Sequence, residues 1–216
     1  MLPYDAVIFD LDGTIADTLA DLHAAVNHAL AAFNMPLRTI EQTRATVGNG
    51  IRNLIMRSMP EGSDQVDEVL ASFRAFYKDH LLVNTGVYPG TVELVRELRR
   101  NGVKLAVASN KFQAGTQAIC EALYPDLIDT IFGESPDRPR KPDPAIVHEI
   151  LRSLDADPSR AVLVGDSDVD VKTARNAGID VVAVTWGFRS REQLVAAGAD
   201  RIVDTAAALK TELLGE

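Results

Sequence analysis

The sequence predicts an α/β fold: a doubly wound, Rossmann-like parallel sheet forms the core, with a helical cap domain inserted after the first strand. Three observations carry this expectation. Short runs rich in Val, Ile and Ala, apolar without strict alternation, recur along the chain as strands buried on both faces do. From about residue 84 onward they alternate with amphipathic helical patterns, the order of a βα succession. Between the first run and that point only helical spacing is found, with no convincing strand.

The first predicted strand, residues 6–9, runs directly into Asp10. Leu19, Leu22, Val26, Ala29, Leu30 and Phe33 then repeat at the spacing of one helical face. Ile51, Leu54, Ile55 and Met59 do the same after Gly48-Asn49-Gly50, as do Val66, Val69, Leu70, Phe73, Phe76 and Tyr77. Residues 16–83 are therefore predicted as the cap, with 1–15 and 84–216 as the core. In the core, strands are expected at 104–108, 130–132, 161–164, 181–185 and, more weakly, 201–203. Helices are expected at 92–100 before Gly102, at 113–123, at 144–154, and at 169–177 before Gly178. The proline-rich piece 135–144 reads as a loop.

Length and charge narrow the partners. A chain of 216 residues suits one main domain plus a sizeable insertion, and 46% hydrophobic residues fill a real core. Against 31 acidic residues stand 22 Lys and Arg, a net charge of −9 that opposes nucleic acid and anionic membrane surfaces. A small phosphorylated metabolite stays compatible, because a local cation or metal reverses the field inside one pocket. The single cysteine, Cys120, lies in an apolar-spaced run and reads as a packing residue. No segment has the pattern of a signal peptide or the apolar length of a membrane span, so the expectation is a cytoplasmic protein, monomer or homodimer.

Val7-Ile8-Phe9-Asp10-Leu11-Asp12-Gly13-Thr14 is an apolar strand ending in two carboxylates one residue apart. In an open α/β sheet the ligand crevice lies at the carboxyl ends of the strands, which would deliver Asp10 to that crevice and Asp12 to the loop above it. Two carboxylates so close repel unless a cation or a proton intervenes; alone, the fragment reads equally as a solvated turn. A second acidic cluster, Gly165-Asp166-Ser167-Asp168-Val169-Asp170, ends another apolar run. Hard oxygen ligands of this kind suit magnesium, while one of the three carboxylates serves as a helix cap. Ser109-Asn110-Lys111 brings a hydroxyl and backbone N–H groups to a third strand end, ahead of a helix N-terminus that attracts anions. Lys141-Pro142 brings an ammonium to a fourth. Taken singly, Ser109 reads as a cap and Lys141 as a loop charge.

In order along the chain, Asp10-Leu11-Asp12-Gly13-Thr14, Ser109, Lys141-Pro142 and Gly165-Asp166 through Asp170 resemble the four motifs of the haloacid dehalogenase superfamily. The resemblance implies that Asp10 attacks phosphorus to form an aspartyl-phosphate and that Asp12 is the general acid and base. It further implies that Ser109, Asn110 and Lys141 bind the phosphoryl group. Mg2+ would be held by Asp10, Asp166 and Asp12, the last through its backbone carbonyl, with Asp170 supporting the metal or acting through Lys141. A carboxylate at position 12 sets phosphatases and phosphomutases apart from dehalogenases.

Thr46-Val47-Gly48-Asn49-Gly50, Ser109-Asn110-Lys111 and Val184-Thr185-Trp186-Gly187-Phe188 are further similar to bacterial phosphoglycolate phosphatases. That similarity makes 2-phosphoglycolate the expected substrate. Pyrophosphate, nucleotides, sugar phosphates and a β-phosphoglucomutase-like transfer stand as alternatives, and a non-catalytic protein on the same fold would show a damaged motif. Gly48, Asn49 and Gly50 present bare N–H groups suited to an anion or, equally, to a plain helix start. Arg52 is the candidate partner of a substrate carboxylate or, equally, a surface charge. Trp186 reads as edge packing, and the four histidines show no metal-ligand spacing.

Overall fold

The computed structural model describes residues 2–215. Strand β1 (Ala6–Phe9) is wholly buried because its side chains alternate between two apolar layers, Val7 and Phe9 on one face, Ala6 and Ile8 on the other. Beyond the Asp10 loop, β2 (Ala16–Asp17) leads into α1 (Leu19–Ala32), α2 (Ile40–Thr46), α3 (Ile51–Ser58) and α4 (Val66–Tyr77). The chain returns through β3 (Gly86–Val87), which pairs antiparallel with β2. This short ribbon corrects the expectation that no strand lies in this stretch. Two residues per strand are too few to show periodicity in a sequence.

The rest alternates: α5 (Thr91–Arg100), β4 (Lys104–Phe112), α6 (Gln113–Leu123), β5 (Thr130–Glu134), α7 (Ala145–Leu154), β6 (Ala161–Gly165), α8 (Asp168–Ala177), β7 (Asp180–Val184), α9 (Arg191–Ala196), β8 (Ile202–Val203) and α10 (Ala206–Leu214). The main sheet has the order β5-β4-β1-β6-β7-β8 with every pairing parallel. Helices α5, α6 and α10 cover the Val7 face, and α7 and α8 cover the Ile8 face. The predicted doubly wound core is thus observed. Strand order reverses around β1, so its carboxyl end opens on the crevice where such sheets bind ligands.

Two further details aim side chains at that crevice. The β4–β5 register breaks between Ala108 and Phe112, so β4 continues past the predicted end at residue 108 as a bulge, a device that re-aims side chains. Helix α8 begins with Asp170 reaching back to Ser167, so the acidic loop after β6 is held by its own helix start. Helices α2, α9 and α10 were not expected; α2 buries only Thr43 and so shows no apolar stripe. Its start is set by a Thr39–Gln42 capping box.

Within the insertion, α1 packs on α4 and α2, and α3 on α2 and α4. Their apolar faces, including Val26, Leu30, Ile55 and Phe73, join the same buried layer as Val7 and Phe9. Asp21, at the start of α1, is 2% exposed and accepts hydrogen bonds from the backbone N–H groups and side chains of Asn84 and Thr85. These charge-assisted bonds outweigh burial and keep its carboxyl below the usual range, tying the exit of the insertion to its entrance.

Candidate active site

The ends of β1 and β6, the bulged part of β4 and the loop before α7 meet in one cleft, lined on the sheet side by Asp10, Asp12, Ser109, Asn110, Lys111, Lys141, Asp166 and Asp170. On the insertion side stand Leu22, Val47, Gly48, Gly50, Ile51 and Leu54. Lys141 occupies the centre of the charge network. Its Nζ donates to Asp10 Oδ1 at 2.9 Å and to Asp170 Oδ1 at 2.7 Å, and its side chain is 2% exposed. Burial opposes the ammonium, but the two carboxylates reverse that effect and raise its pKa, so the site holds a permanent cation.

Asp10, Asp166 and Asp170 bring carboxylate oxygens within 4.8 Å of one another. Burial pushes the Asp10 carboxyl up to about 7; Lys141 pulls it down, and Asp170 pushes it up again. Asp166 is raised well above the usual range by burial and by the neighbouring charges of Asp10 and Asp170. Three buried carboxylates facing one ammonium leave negative charge uncompensated, and hard oxygen donors so arranged suit a divalent cation. The three carboxylates therefore fit a divalent ion such as magnesium. Asp166 is oriented for this by Phe188, whose N–H donates to Oδ2 at 2.6 Å, and by the Thr14 hydroxyl at 3.4 Å from Oδ1. Asp170 already spends Oδ1 on Lys141 and Oδ2 on Ser167, so it orients Lys141 as well as closing the triad.

Asp12 stands apart from the triad. Its Oδ1 accepts from Thr18 Oγ1 at 2.5 Å and from Lys111 Nζ at 2.8 Å. Asp12 is not one of the three clustered carboxylates, and its side chain is held instead by Thr18 and Lys111. Ser109 lines the cleft, and its Oγ accepts from the Lys111 N–H at 3.1 Å. Asn110 lines the cleft as well, and its side-chain amide is engaged. Its Oδ1 accepts the Lys141 N–H at 2.9 Å, while Nδ2 donates to the Lys141 carbonyl at 3.0 Å and the Gly48 carbonyl at 3.2 Å. With both ends of its amide spent, the Asn110 side chain clamps Lys141 and touches the insertion.

The remaining expected positions divide. Gly48 and Gly50 line the cleft, whereas Asn49 does not and uses its carbonyl to accept the Asn53 amide. Arg52 is also outside it: position 52 turns off the buried Ile51-Leu54-Ile55 face of α3, and its guanidinium pairs with Asp67 at the surface with 45% of the side chain exposed. The expectation of Arg52 as a carboxylate partner is corrected accordingly. His23 bonds Thr43 and Asn27 inside the insertion, and Trp186 Nε1 donates to the Thr14 carbonyl, a packing role. Cys120 is fully buried, with its thiol pushed up to about 12 by burial.

Several contributors escaped the sequence. Thr18 and Lys111 hold Asp12, and Arg189 bridges to the insertion through the carbonyls of Val47, at 2.6 Å, and Arg44, at 3.3 Å. Gly165 and Gly187 are needed because a Cβ at the first would overlap the Asp170 carboxyl, and at the second the Gly13 carbonyl and Asp166. The only signal for Lys111 was its place two residues after Ser109, on the same side of an extended segment.

The fold and the cleft define a doubly wound α/β protein with a buried aspartate at the end of its first strand and a cluster of carboxylates around one lysine. The haloacid dehalogenase-like hydrolase family model matches residues 7–184, and the chain belongs to that family as an enzyme of the phosphatase type. It is 36% identical to a phosphoglycolate phosphatase of Rhodospirillum rubrum, over 94% of this chain and 88% of that one. A phosphoglycolate phosphatase of Mesorhizobium japonicum is 36% identical over 86% of this chain and 84% of its own length. Among solved structures, a candidate phosphoglycolate phosphatase from Lactobacillus delbrueckii subsp. bulgaricus superposes with a TM-score of 0.95 at 38% identity, covering all of both chains.

Proposed function

We propose that the chain is a magnesium-dependent phosphomonoesterase that cleaves 2-phosphoglycolate through an aspartyl-phosphate on Asp10. The observation that carries this is the meeting of Asp10, Asp12, Ser109, Lys141 and Asp166 in one cleft from four separate parts of the chain. A bound magnesium ion, held by Asp10, Asp166 and the Asp12 carbonyl, would supply positive charge against the phosphoryl oxygens. Lys141 adds to that charge from the protein and draws negative charge off Asp10 and the entering phosphate, which lets two like-charged groups approach. Asp10 Oδ attacks phosphorus as the ester oxygen leaves. Asp12 gives that oxygen a proton and then removes one from the water that hydrolyses the aspartyl-phosphate.

The choice of 2-phosphoglycolate draws its support from the names of the relatives at 36% identity and from the small, partly apolar mouth of the cleft. In this proposal residues 16–83 act as a cap that excludes water and large substrates, and the protein works as a cytoplasmic monomer or homodimer. Support for that setting is the net charge of −9 and the fact that, among the described residues, no helix is long and apolar enough to cross a membrane. Phosphate release from a panel of phosphate esters, with magnesium and after chelation, tests the proposal. The expected result is release from 2-phosphoglycolate that chelation abolishes; no release from any ester would end it.

A further inference from the structure

The cleft contains two buried lysines, and the chemistry above uses only Lys141. Lys111 is equally enclosed, with 2% of its side chain exposed, yet it lines the same cleft. Burial opposes its charge, but Asp12 and then Tyr77 outweigh burial and raise its pKa, so it too is a fixed cation. An ammonium has three donors. One of them reaches Asp12 Oδ1 at 2.8 Å. The Nζ stands 4.9 Å from the centre of the Tyr77 ring, at the junction of core and insertion; the buried Tyr77 hydroxyl interacts with this ammonium, yet makes no hydrogen bond of ordinary geometry among the described residues. Polar capacity is therefore left over beside Asp12, the residue proposed to meet the leaving oxygen.

The other cations of the cleft are already committed. Lys141 is shared between Asp10 and Asp170, and Arg189 is spent on the Val47 and Arg44 carbonyls. On the insertion side the walls near the mouth are apolar, from Leu22, Val47, Ile51 and Leu54. A leaving group bearing negative charge finds one cation not tied to the nucleophile or to the insertion backbone, and it lies within one hydrogen bond of Asp12.

We propose that Lys111 is the specificity-determining residue of this cleft, receiving a carboxylate carried on a short leaving group while the ester oxygen lies against Asp12. This rests on the function proposed above and sharpens its substrate class to short phosphomonoesters with a second, anionic end. A neutral end leaves the ammonium's remaining donors unpaired in a low-dielectric pocket, which is how buried polar groups reject analogues. A negative end of the right length satisfies them.

The test compares kcat/KM on matched ester pairs, one carboxylate-ended and one neutral: 2-phosphoglycolate against 2-hydroxyethyl phosphate, and 3-phosphoglycerate against glycerol 3-phosphate. Wild-type enzyme is expected to favour the carboxylate-ended member of at least one pair. Because Lys111 also holds Asp12, Lys111→Met should slow every ester, but the preference within the favoured pair should fall about 100-fold, the value of a charge-assisted contact. Lys111→Arg, which keeps the charge if the methionine variant folds poorly, should retain most of the preference. An equal slowing of both members by Lys111→Met, or a wild type with no preference in either pair, overturns the assignment of Lys111. Failure of the substrate proposal is a separate outcome: 2-phosphoglycolate resists hydrolysis while 3-phosphoglycerate is cleaved, and the Lys111 inference is then decided on the longer pair.

Discussion

The sheet end and the insertion end of the cleft are built by opposite means. At the sheet end, Asp10, Lys141, Asp166 and Asp170 are buried charges: Asp10 and Asp166 follow β1 and β6, Asp170 lies in the first turn of α8, and Lys141 reaches them from the loop before α7. At the insertion end, contact with the core is made by backbone carbonyls of Arg44, Val47 and Gly48 and by apolar side chains. The sheet end cannot shift without breaking parallel strand pairs. The insertion end is joined by a few hydrogen bonds, each worth about 0.5–1.5 kcal/mol net, and by apolar contact, with no strand ladder to fix its position. The contrast suggests that reactivity belongs to one end and admission of substrate to the other.

The sharpest way to break this contrast is to remove the nucleophile. Asp10→Asn should lower kcat on the order of 10^4-fold or more in a phosphate-release assay, with the fold retained by circular dichroism. A variant keeping most of its turnover would contradict the role of Asp10. Next comes Lys141→Met, which leaves the carboxylates without their ammonium. A fall of about 10^3-fold in kcat, larger than any fall from an insertion variant, is expected; an effect confined to KM would blur the division between the two ends.

The charge cluster also gives the sheet end a pH signature. Burial raises the Asp10 pKa from an ordinary 3.8 to about 7, so between those values the folded protein keeps a proton that the unfolded chain gives up. The stability from this group is fully present below about pH 4 and is lost as pH rises through about 7. Metal-free protein should therefore melt a few degrees lower at pH 8 than at pH 6, the size expected for a change of about 1 kcal/mol. Magnesium should shrink the difference and Asp10→Asn should remove most of it. A melting temperature that climbs with pH in chelator would refute the cluster as drawn.

Smaller effects belong to the join. Asn110→Ala removes the clamp on the Lys141 backbone and the contact with Gly48, and about a tenfold loss in kcat/KM is expected from bonds of this strength. Smallest of all is Arg52→Ala. Its exposed pair with Asp67 is of the kind worth about 0–1 kcal/mol, so kcat/KM on 2-phosphoglycolate should change less than about twofold. A tenfold rise in KM there would restore Arg52 to the substrate.

Much of the sheet was legible because buried parallel strands write themselves as continuous apolar runs, and the acidic and basic residues that interrupt them fall at strand ends. Asp10, Ser109, Lys141 and Asp166 were found in that way, and the cleft contains all four. Helix α2 and the β2–β3 ribbon were not legible: one buries too little to show a stripe, and the other is too short to show a period. The partners of the Asn110 side chain were not legible either, because an amide beside Ser109 gives no sign in the sequence of which way it faces. In the folded chain its partners are Lys141, 31 residues on, and Gly48, 62 residues back.

By itself the sequence determined which residues are charged, which segments must be buried, and that a carboxylate follows each of two apolar strands. Those are local properties, set by residue type and by spacing within a few positions. Only the tertiary structure decided who faces whom: that Lys141 rather than Lys111 reaches Asp10, that Lys111 takes Asp12, and that Arg52 turns outward. Electrostatic partnership depends on distances of about 3 Å between residues far apart in the chain, and the sheet order and the bulge in β4, not the spacing along the sequence, set those distances.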